Sequence, residues 1–444
     1  MNTDMLFSPF LDSVRQAEPI RVHGKILEVI GLLIESSGPT ASIGDVCTIE
    51  SNGSVIGRAE VVGFRKERTL LMPLGPVEGI HSGLAVVSTK RPLTVGVGRN
   101  LLGRVLDGLG NPIDGKGGLR PQELRPIFSR IPNPLLRKRI SEPFETGIRA
   151  IDSFITVGKG QRLGIFSGSG VGKSVLMGMM ARNCRSDVNV IALIGERGRE
   201  VREFLERDLG EEGLARSVII VATSDQPALI RQKGALVAAT IAEFFRDQGK
   251  DVLFLCDSVT RLATAQREIG LAIGEPPATR GYTPSVFAML PGFLERAGTS
   301  DLGTITGLFT VLVDGDDMDE PIADAARSIL DGHVVLSRKL AHRNIFPAID
   351  VLQSISRCMN DIITSQHQSA MSVLRDYMAA YSENEDLIQI GAYSQGSSER
   401  VDRSIRIHTP LMKFLRQSRT EAAPFEETIK ALLELASMAE QESR

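Results

Sequence analysis

Short apolar runs alternate with helical patterns through the middle of this chain. Each run has the length of a β-strand, and the stretch after it repeats its apolar residues at the three- and four-residue spacing of a helix. Near-continuous apolar strands separated by helices indicate a parallel sheet covered on both faces. The predicted strands are Arg162–Phe166, Val188–Ile194, Ser217–Ala222, Asp251–Cys256 and Thr304–Val313.

The patterns on either side of this region differ from it. Residues 20–90 hold short β-branched runs broken by turn signals, which predicts a small β-barrel or sandwich. Beyond about residue 366 only helical patterns follow, as in Ser369–Tyr381 and Phe425–Gln441. We therefore expect a β-domain at 20–90, an α/β domain at 91–365 and a helical domain at 366–444.

The N-terminal residues 1–19 form a separate case. Their apolar side chains fall on one face at helical spacing, which predicts a helix. Such a helix either packs on its own domain or docks a partner, because chain termini are often left free for binding. The residues on this face are Leu6, Phe7, Phe10, Leu11 and Val14.

Composition narrows the class of protein. The 444 residues are 42% hydrophobic and 24% charged, with a net charge of -3, so the chain is globular and does not favour nucleic acid as a partner. The chain contains no apolar stretch of about 18 residues, the length that a membrane span needs, and we expect a cytoplasmic protein. The four cysteines lie too far apart for a C-x-x-C zinc motif, and no disulfide framework is indicated: Cys47, Cys184, Cys256 and Cys358.

A glycine-rich loop lies between the first predicted strand of the sheet and an apolar helix. The segment from Ser167 to Ser174 reads Ser-Gly-Ser-Gly-Val-Gly-Lys-Ser, which is the P-loop pattern except that Ser167 replaces the leading glycine. Lys173 would reach the β- and γ-phosphates of a nucleotide, and the Ser174 hydroxyl would bind Mg²⁺. The predicted nucleotide contacts are Gly168, Ser169, Gly170, Val171, Gly172, Lys173, Ser174 and Val175.

Acidic residues end two other predicted strands. Asp257 follows a buried strand and could hold the water shell of Mg²⁺. Glu196 and Glu200 follow Val188–Ile194, at the carboxyl edge where α/β sheets bind ligands. We predict Glu196 as the base for the attacking water and Glu200 as a water-mediated Mg²⁺ group; a solvated charged turn is the alternative.

Several long motifs together resemble the catalytic subunit of rotary ATP synthases and its secretion relatives. They are residues 103–115 and 145–152, the P-loop, and Gly195-Glu196-Arg197. The resemblance covers nearly the whole chain, which is most similar to the flagellum-specific type III export ATPases. Residues 274–287 and 331–338 resemble the type III export ATPases rather than the synthase subunits. It implies an α/β fold with a RecA-like P-loop core, an N-terminal β-barrel and a C-terminal helical domain.

The resemblance also implies roles for particular residues and partners. Arg197 would assist Glu196 in catalysis, and Arg357 would be an arginine finger acting on a neighbouring subunit. Phe346 would stack on adenine, with Phe425 as a second wall, although a helix-packing phenylalanine has the same pattern. The expected partners are a homo-hexamer, a regulatory stator-like protein at the N-terminus, a central stalk, the export gate and chaperone–substrate complexes.

Other functions stay open at this point. A virulence-type secretion ATPase and a rotary synthase subunit share the fold, and a ring member without activity is conceivable. An RNA-translocating hexamer also shares the core, but its RNA-binding domain needs aromatic residues for stacking. Residues 20–90 contain a single aromatic residue, Phe64. The leading hypothesis is an ATPase that energises flagellar protein export at the inner membrane.

Overall fold

The computed structural model describes residues 22–129, 132–313, 315 and 317–440. The chain forms two compact units, the first up to Leu93 and the second from Thr94 onward. The predicted N-terminal helix at residues 1–19 lies outside the described residues. Within them, no helix is both long enough and apolar enough to cross a membrane.

The first unit is a closed barrel whose neighbouring strands are all antiparallel, in the order β1-β2-β5-β4-β3-β6. Alternate side chains such as Ile34, Ile49 and Leu71 are fully buried inside it. The predicted run at 25–35 splits into two strands at Gly31, which takes the positive φ of 56° that a tight turn requires. The strands are β1 (His23–Ile30), β2 (Leu33–Ser36), β3 (Asp45–Ser51), β4 (Ser54–Arg65), β5 (Arg68–Pro73) and β6 (Ala85–Pro92).

The second unit is built around a mostly parallel sheet. Its order is β19-β18-β12-β17-β15-β13-β14-β8, with β16 antiparallel to β17 and β19 antiparallel to β18. Two-stranded pairs form from β7 with β9 and from β10 with β11. The strands are β7 (Thr94–Val97), β8 (Arg104–Asp107), β9 (Glu123–Pro126), β10 (Pro143–Phe144), β11 (Val157–Gly158), β12 (Arg162–Ser167), β13 (Val188–Ile194), β14 (Ser217–Ala222), β15 (Asp251–Asp257), β16 (Gly298–Thr299), β17 (Thr304–Leu312), β18 (Gly332–Leu336) and β19 (Ile349–Ser356).

Helices connect these strands and follow them. A π-helical segment, Phe204–Leu209, joins α3 to α4, and short 3₁₀ turns occupy Arg99–Leu101, Pro134–Leu136 and Thr279–Gly281. The helices are α1 (Arg149–Phe154), α2 (Lys173–Asn183), α3 (Gly198–Glu203), α4 (Gly210–Ala215), α5 (Ala228–Arg246), α6 (Val259–Ile273), α7 (Pro284–Leu294), α8 (Pro321–Ile329), α9 (Arg338–His342), α10 (Met359–Ile362), α11 (Ser365–Gln389), α12 (Glu399–Leu415) and α13 (Phe425–Glu440).

The helices α11 to α13 share one hydrophobic core with the sheet. Leu374, Ile407 and Leu432 belong to the same buried cluster as Ile165 of β12. The fold class is confirmed: an N-terminal barrel, an α/β core with the P-loop and C-terminal helices. The finer division at residues 19, 90 and 365 stays a prediction, since α11 to α13 and the sheet belong to one compact unit.

Candidate active site

A cavity of about 600 Å³ opens at the carboxyl edge of the sheet, around the loop between β12 and α2. Gly170 and Gly172 take positive φ values of 79° and 93°, which let the loop turn tightly and begin α2 at Lys173. Every predicted phosphate-loop residue except Val171 lines this cavity. The Val171 side chain is buried, so its backbone alone is available to a nucleotide.

Ser167, which replaces the leading glycine of the motif, is the last residue of β12. It is 2% exposed, and its hydroxyl has no hydrogen-bond partner among the described residues. Its φ is not positive, so this position does not need a glycine. The departure from the motif is therefore compatible with the loop.

Lys173 brings the acidic residues of two other strands together. Its Nζ contacts Oδ1 of Asp257 and lies 3.4 Å from Oε1 of Glu196. Thr310 of β17 donates a hydrogen bond of 2.6 Å to the same Asp257 oxygen. Burial disfavours the charged ammonium, but Asp257 and Glu196 outweigh it and raise the pKa of Lys173. The ammonium is thus a fixed positive charge at the phosphate loop.

Glu196 has the electrostatic properties of a general base. Burial raises its pKa to about 7; Lys173 opposes this rise, whereas Asp257 and Glu200 add to it. A base works best when its pKa lies near the operating pH, because it is then often deprotonated and still accepts a proton readily. The structure thus places the predicted base beside Lys173, in the environment that the role requires.

The more exposed acidic and basic residues line the outer part of the cavity. Arg197 is largely exposed and pairs with Glu200 at 3.2 Å. Ser174, Glu200 and Asp257 offer oxygen donors, which suit Mg²⁺, and Ser174 and Glu200 both line the cavity. The described residues contain no cluster of three or more metal-ligating side chains.

The structure separates the two phenylalanines predicted for the adenine site. The ring of Phe346 lies at the phosphate loop, where a Cβ on Gly172 would be 3.5 Å from it. Neither phenylalanine is among the residues that line the cavity. The ring of Phe425 packs edge-on against His367 of α11, with centroids 6.4 Å apart. The structure therefore shows a packing contact for Phe425, and its place in the adenine site stays a prediction.

Several residues that line the cavity are not among the predicted ones, and three of them carry charges that bear on its chemistry. Arg261 of α6 packs against Gly195 and lines the acidic side. Asp208 of the π-helical segment and Arg419, which follows α12, also line the cavity and form an ion pair of 3.1 Å. Arg261 lies four residues beyond Asp257, and this spacing could have indicated that Arg261 belongs to the site. Asp208 and Arg419 come from distant segments that carry no motif.

Arg357 lies away from the cavity of its own chain. It follows β19, which runs antiparallel to β18, and its backbone N–H donates to Asp331 at the start of β18. Asp331 pairs with Arg162, the first residue of β12, whereas the phosphate loop follows its last residue. At about 3.3 Å per residue, β12 separates these points by about 17 Å. The exposed Arg357 side chain has no hydrogen-bond or ion-pair partner among the described residues.

Family models match most of the chain. The nucleotide-binding domain of the ATP synthase alpha/beta family matches residues 147–356, and its beta-barrel domain matches residues 26–90. The T3SS EscN ATPase C-terminal domain matches residues 363–434.

Curated relatives and solved structures agree with these matches. The flagellum-specific ATP synthase of Bacillus subtilis is 55% identical over 96% of this chain and 98% of that protein. The type 3 secretion system ATPase of Xanthomonas euvesicatoria is 49% identical over 93% of each. The structure of the assembled ATPase EscN from enteropathogenic E. coli has a TM-score of 0.89 at 44% identity, covering 93% of this chain and 100% of that one. EscN in complex with its central stalk EscO has a TM-score of 0.87 at 44% identity, with the same coverage.

Proposed function

We propose that this chain, which belongs to the ATP synthase alpha/beta family as a flagellum-specific export ATPase, hydrolyses ATP to energise protein export during flagellar assembly. The observation that carries the proposal is that Lys173 and Glu196 line one nucleotide-sized cavity and that Lys173 contacts both Glu196 and Asp257. Identity of 55% to a flagellum-specific relative favours the flagellar system over a virulence-type one.

Each of these residues has its own role in ATP hydrolysis. Lys173 exchanges its carboxylate contacts for the β- and γ-phosphates, so its charge stabilises the transition state. Glu196 accepts a proton from the attacking water, and Arg197 with Arg261 adds positive charge beside it. Mg²⁺, when bound, neutralises the phosphates, and Ser174, Asp257 and Glu200 are the residues that would hold it, the two acids through water.

A neighbouring subunit completes the site. Arg357 lies at the opposite edge of the sheet from its own phosphate loop and has no partner among the described residues, so its guanidinium is available to the next copy of the chain. There it stabilises charge on the γ-phosphate, as arginine fingers do. The assembled EscN and its stalk complex support a homo-hexameric ring with a central stalk.

The other partners follow from the export role. The ring works in the cytoplasm against the inner-membrane export gate, receives chaperone–substrate complexes, and is restrained by a stator-like regulator bound at residues 1–19.

Two variants test the proposal. Glu196→Gln removes the base and leaves the fold in place, so Mg²⁺-dependent hydrolysis should fall by about 10²-fold or more, while ATP still binds. Glu206→Gln is the matched control, since Glu206 is exposed, pairs only with Arg202 among the described residues, and lies outside the cavity. Hydrolysis by Glu196→Gln at the wild-type rate would refute the assignment of the base.

The cellular role is tested by deleting the gene. The deletion should abolish motility and flagellin export, and the Glu206→Gln gene should restore both whereas Glu196→Gln should not. A deletion strain that swims normally but no longer secretes effector proteins would instead support the virulence-type system.

A further inference from the structure

One side of the nucleotide cavity has no role in the hydrolysis described above. The acids that act on the terminal phosphate lie on one side of the phosphate loop, so the base of a bound nucleotide must lie on the other. That side is lined by Val175 in the first turn of α2, by Asp208 and by Arg419. Phe346 faces the loop at Gly172.

Arg419 is held in place by the segments around it. Its Nη2 donates to the Arg207 carbonyl at 2.6 Å and lies 3.1 Å from Oδ1 of Asp208. Arg182 of α2 donates to the Arg419 carbonyl at 2.6 Å. The side chain nevertheless keeps 37% of its surface exposed. Arg419 is therefore a fixed and partly exposed guanidinium at the wall of the cavity.

The same segment also supports Phe346. Gln417, two residues before Arg419, is 4% exposed, and its backbone N–H donates to the Phe346 carbonyl at 3.0 Å. Its side chain donates to the Gly147 carbonyl at 2.8 Å. Phe346 itself is 41% exposed, which is unusual for a large aromatic ring beside a cavity. Gln417 thus ties the aromatic ring and the guanidinium to one support.

We propose that Arg419 forms the second wall of the base site, with its guanidinium against the purine whose other contact is Phe346, and that Asp208 is a positioning residue for it. This assignment rests on the ATP hydrolysis proposed above. Guanidinium groups stack on aromatic rings and on nucleobases through their planar face. Phe425, the residue predicted for this wall, contacts the ring of His367.

Two probes separate a base contact from a phosphate contact. Mg²⁺–ADP carries a base, whereas Mg²⁺–tripolyphosphate carries only the phosphates, and calorimetry measures the dissociation constant of each. Stacking of one base is worth about 1–3 kcal/mol, so Arg419→Ala should weaken ADP binding about tenfold and leave tripolyphosphate binding within twofold. Phe346→Ala should do the same. Arg202→Ala is the matched control, because Arg202 is exposed and lies outside the cavity.

Arg419→Lys decides whether the planar group matters. Lysine keeps the charge opposite Asp208 but loses the flat face, so ADP binding should still weaken several-fold. Asp208→Asn should raise KM for ATP and leave kcat unchanged, because it loosens Arg419 without touching the reacting atoms.

Wild-type ADP binding by Arg419→Lys would overturn the stacking contact. An equal loss of both probes in Arg419→Ala would overturn the base site altogether. Wild-type protein that binds neither probe would contradict the proposed ATPase function itself, a result distinct from both.

Discussion

Gly178 lies where α2 meets the π-helical segment, and replacing it with alanine is a direct test of that packing. A Cβ at this position would lie 2.6 Å from both the Cβ and the carbonyl oxygen of Asp208, and 2.8 Å from its carbonyl carbon. Ordinary van der Waals contacts begin near 3.4 Å, so Asp208 and the added Cβ must move apart by about 0.8 Å. Two of the three atoms are backbone, which cannot rotate away.

The energetic cost follows from this clash. Overpacking of a core costs about 1–3 kcal/mol, partly offset by the helix preference of alanine over glycine. The second unit has about 350 residues, and an unfolding entropy of roughly 2.1 cal/mol/K per residue converts a loss of 2 kcal/mol into about 3 °C in Tm. Because Asp208 must move, ADP affinity should fall as well.

Gly292→Ala is the control for this experiment. Gly292 lies in α7 with nothing within 4 Å of an added Cβ, so alanine there should be neutral or stabilise by up to about 1 kcal/mol. Differential scanning calorimetry of the two variants and the wild type gives the comparison. A Gly178→Ala protein that melts as high as Gly292→Ala, with unchanged ADP affinity, would refute the packing of the π-helical segment on α2.

Two further substitutions probe charges. Lys173→Met should abolish both ATPase activity and Mg²⁺–ATP binding in an equilibrium titration, because it removes the positive charge at the phosphates and leaves Asp257 and Glu196 facing each other. Retained tight binding would show that Lys173 does not contact phosphate. Glu385 of α11 lies between Lys339 and Arg343, and hydrogen bonds from Arg343 and Lys339 lower its pKa. The stabilisation that Glu385 contributes is therefore complete above the unfolded-state pKa of about 4.3 and is lost as pH falls through the lower folded-state pKa. Glu385→Gln should therefore lower Tm at pH 7 and approach the wild type in acid, and a Tm difference that is the same at every pH would contradict this.

The buried strands of the sheet were predictable because both of their faces are covered. Val188–Ile194 and Ser217–Ala222 have the predicted bounds, and their residues are buried throughout. Helix α12 was not predicted as an element. It contains Pro410 and many charged residues, and its stability depends on tertiary packing, chiefly against α11 and α13. Helix propensity and the local residue pattern do not reveal this tertiary packing, so they did not predict α12.

The residues of the candidate site were also predictable only in part. The phosphate loop, Glu196 and Asp257 follow strand ends, so the parallel-sheet pattern alone brings them together. Arg419 comes from a loop more than 200 residues from Asp208 along the chain, and only the tertiary fold makes them neighbours. The role of Phe425 is open for the same reason, because a phenylalanine at the start of a helix has no local signal that distinguishes a ligand wall from a packing residue.

The position of Arg357 depends on the direction of one strand. Because β19 runs antiparallel to β18, its last residue pairs with Gly332 at the edge of the sheet opposite the phosphate loop. The predicted finger and the predicted phosphate site therefore lie at opposite edges of the sheet within one subunit. This separation is the basis for a mixing experiment.

The measurement that tests the account most directly is the ATPase activity of mixed rings. Arg357→Ala subunits keep their own phosphate site, and Lys173→Ala subunits keep their own finger. Each variant alone should hydrolyse ATP at least about 10³-fold more slowly than the wild type, whereas co-assembled mixtures should regain activity at interfaces that join an intact site to an intact finger. Normal hydrolysis by Arg357→Ala alone, or no recovery in mixtures shown to form rings, would contradict a ring of shared sites.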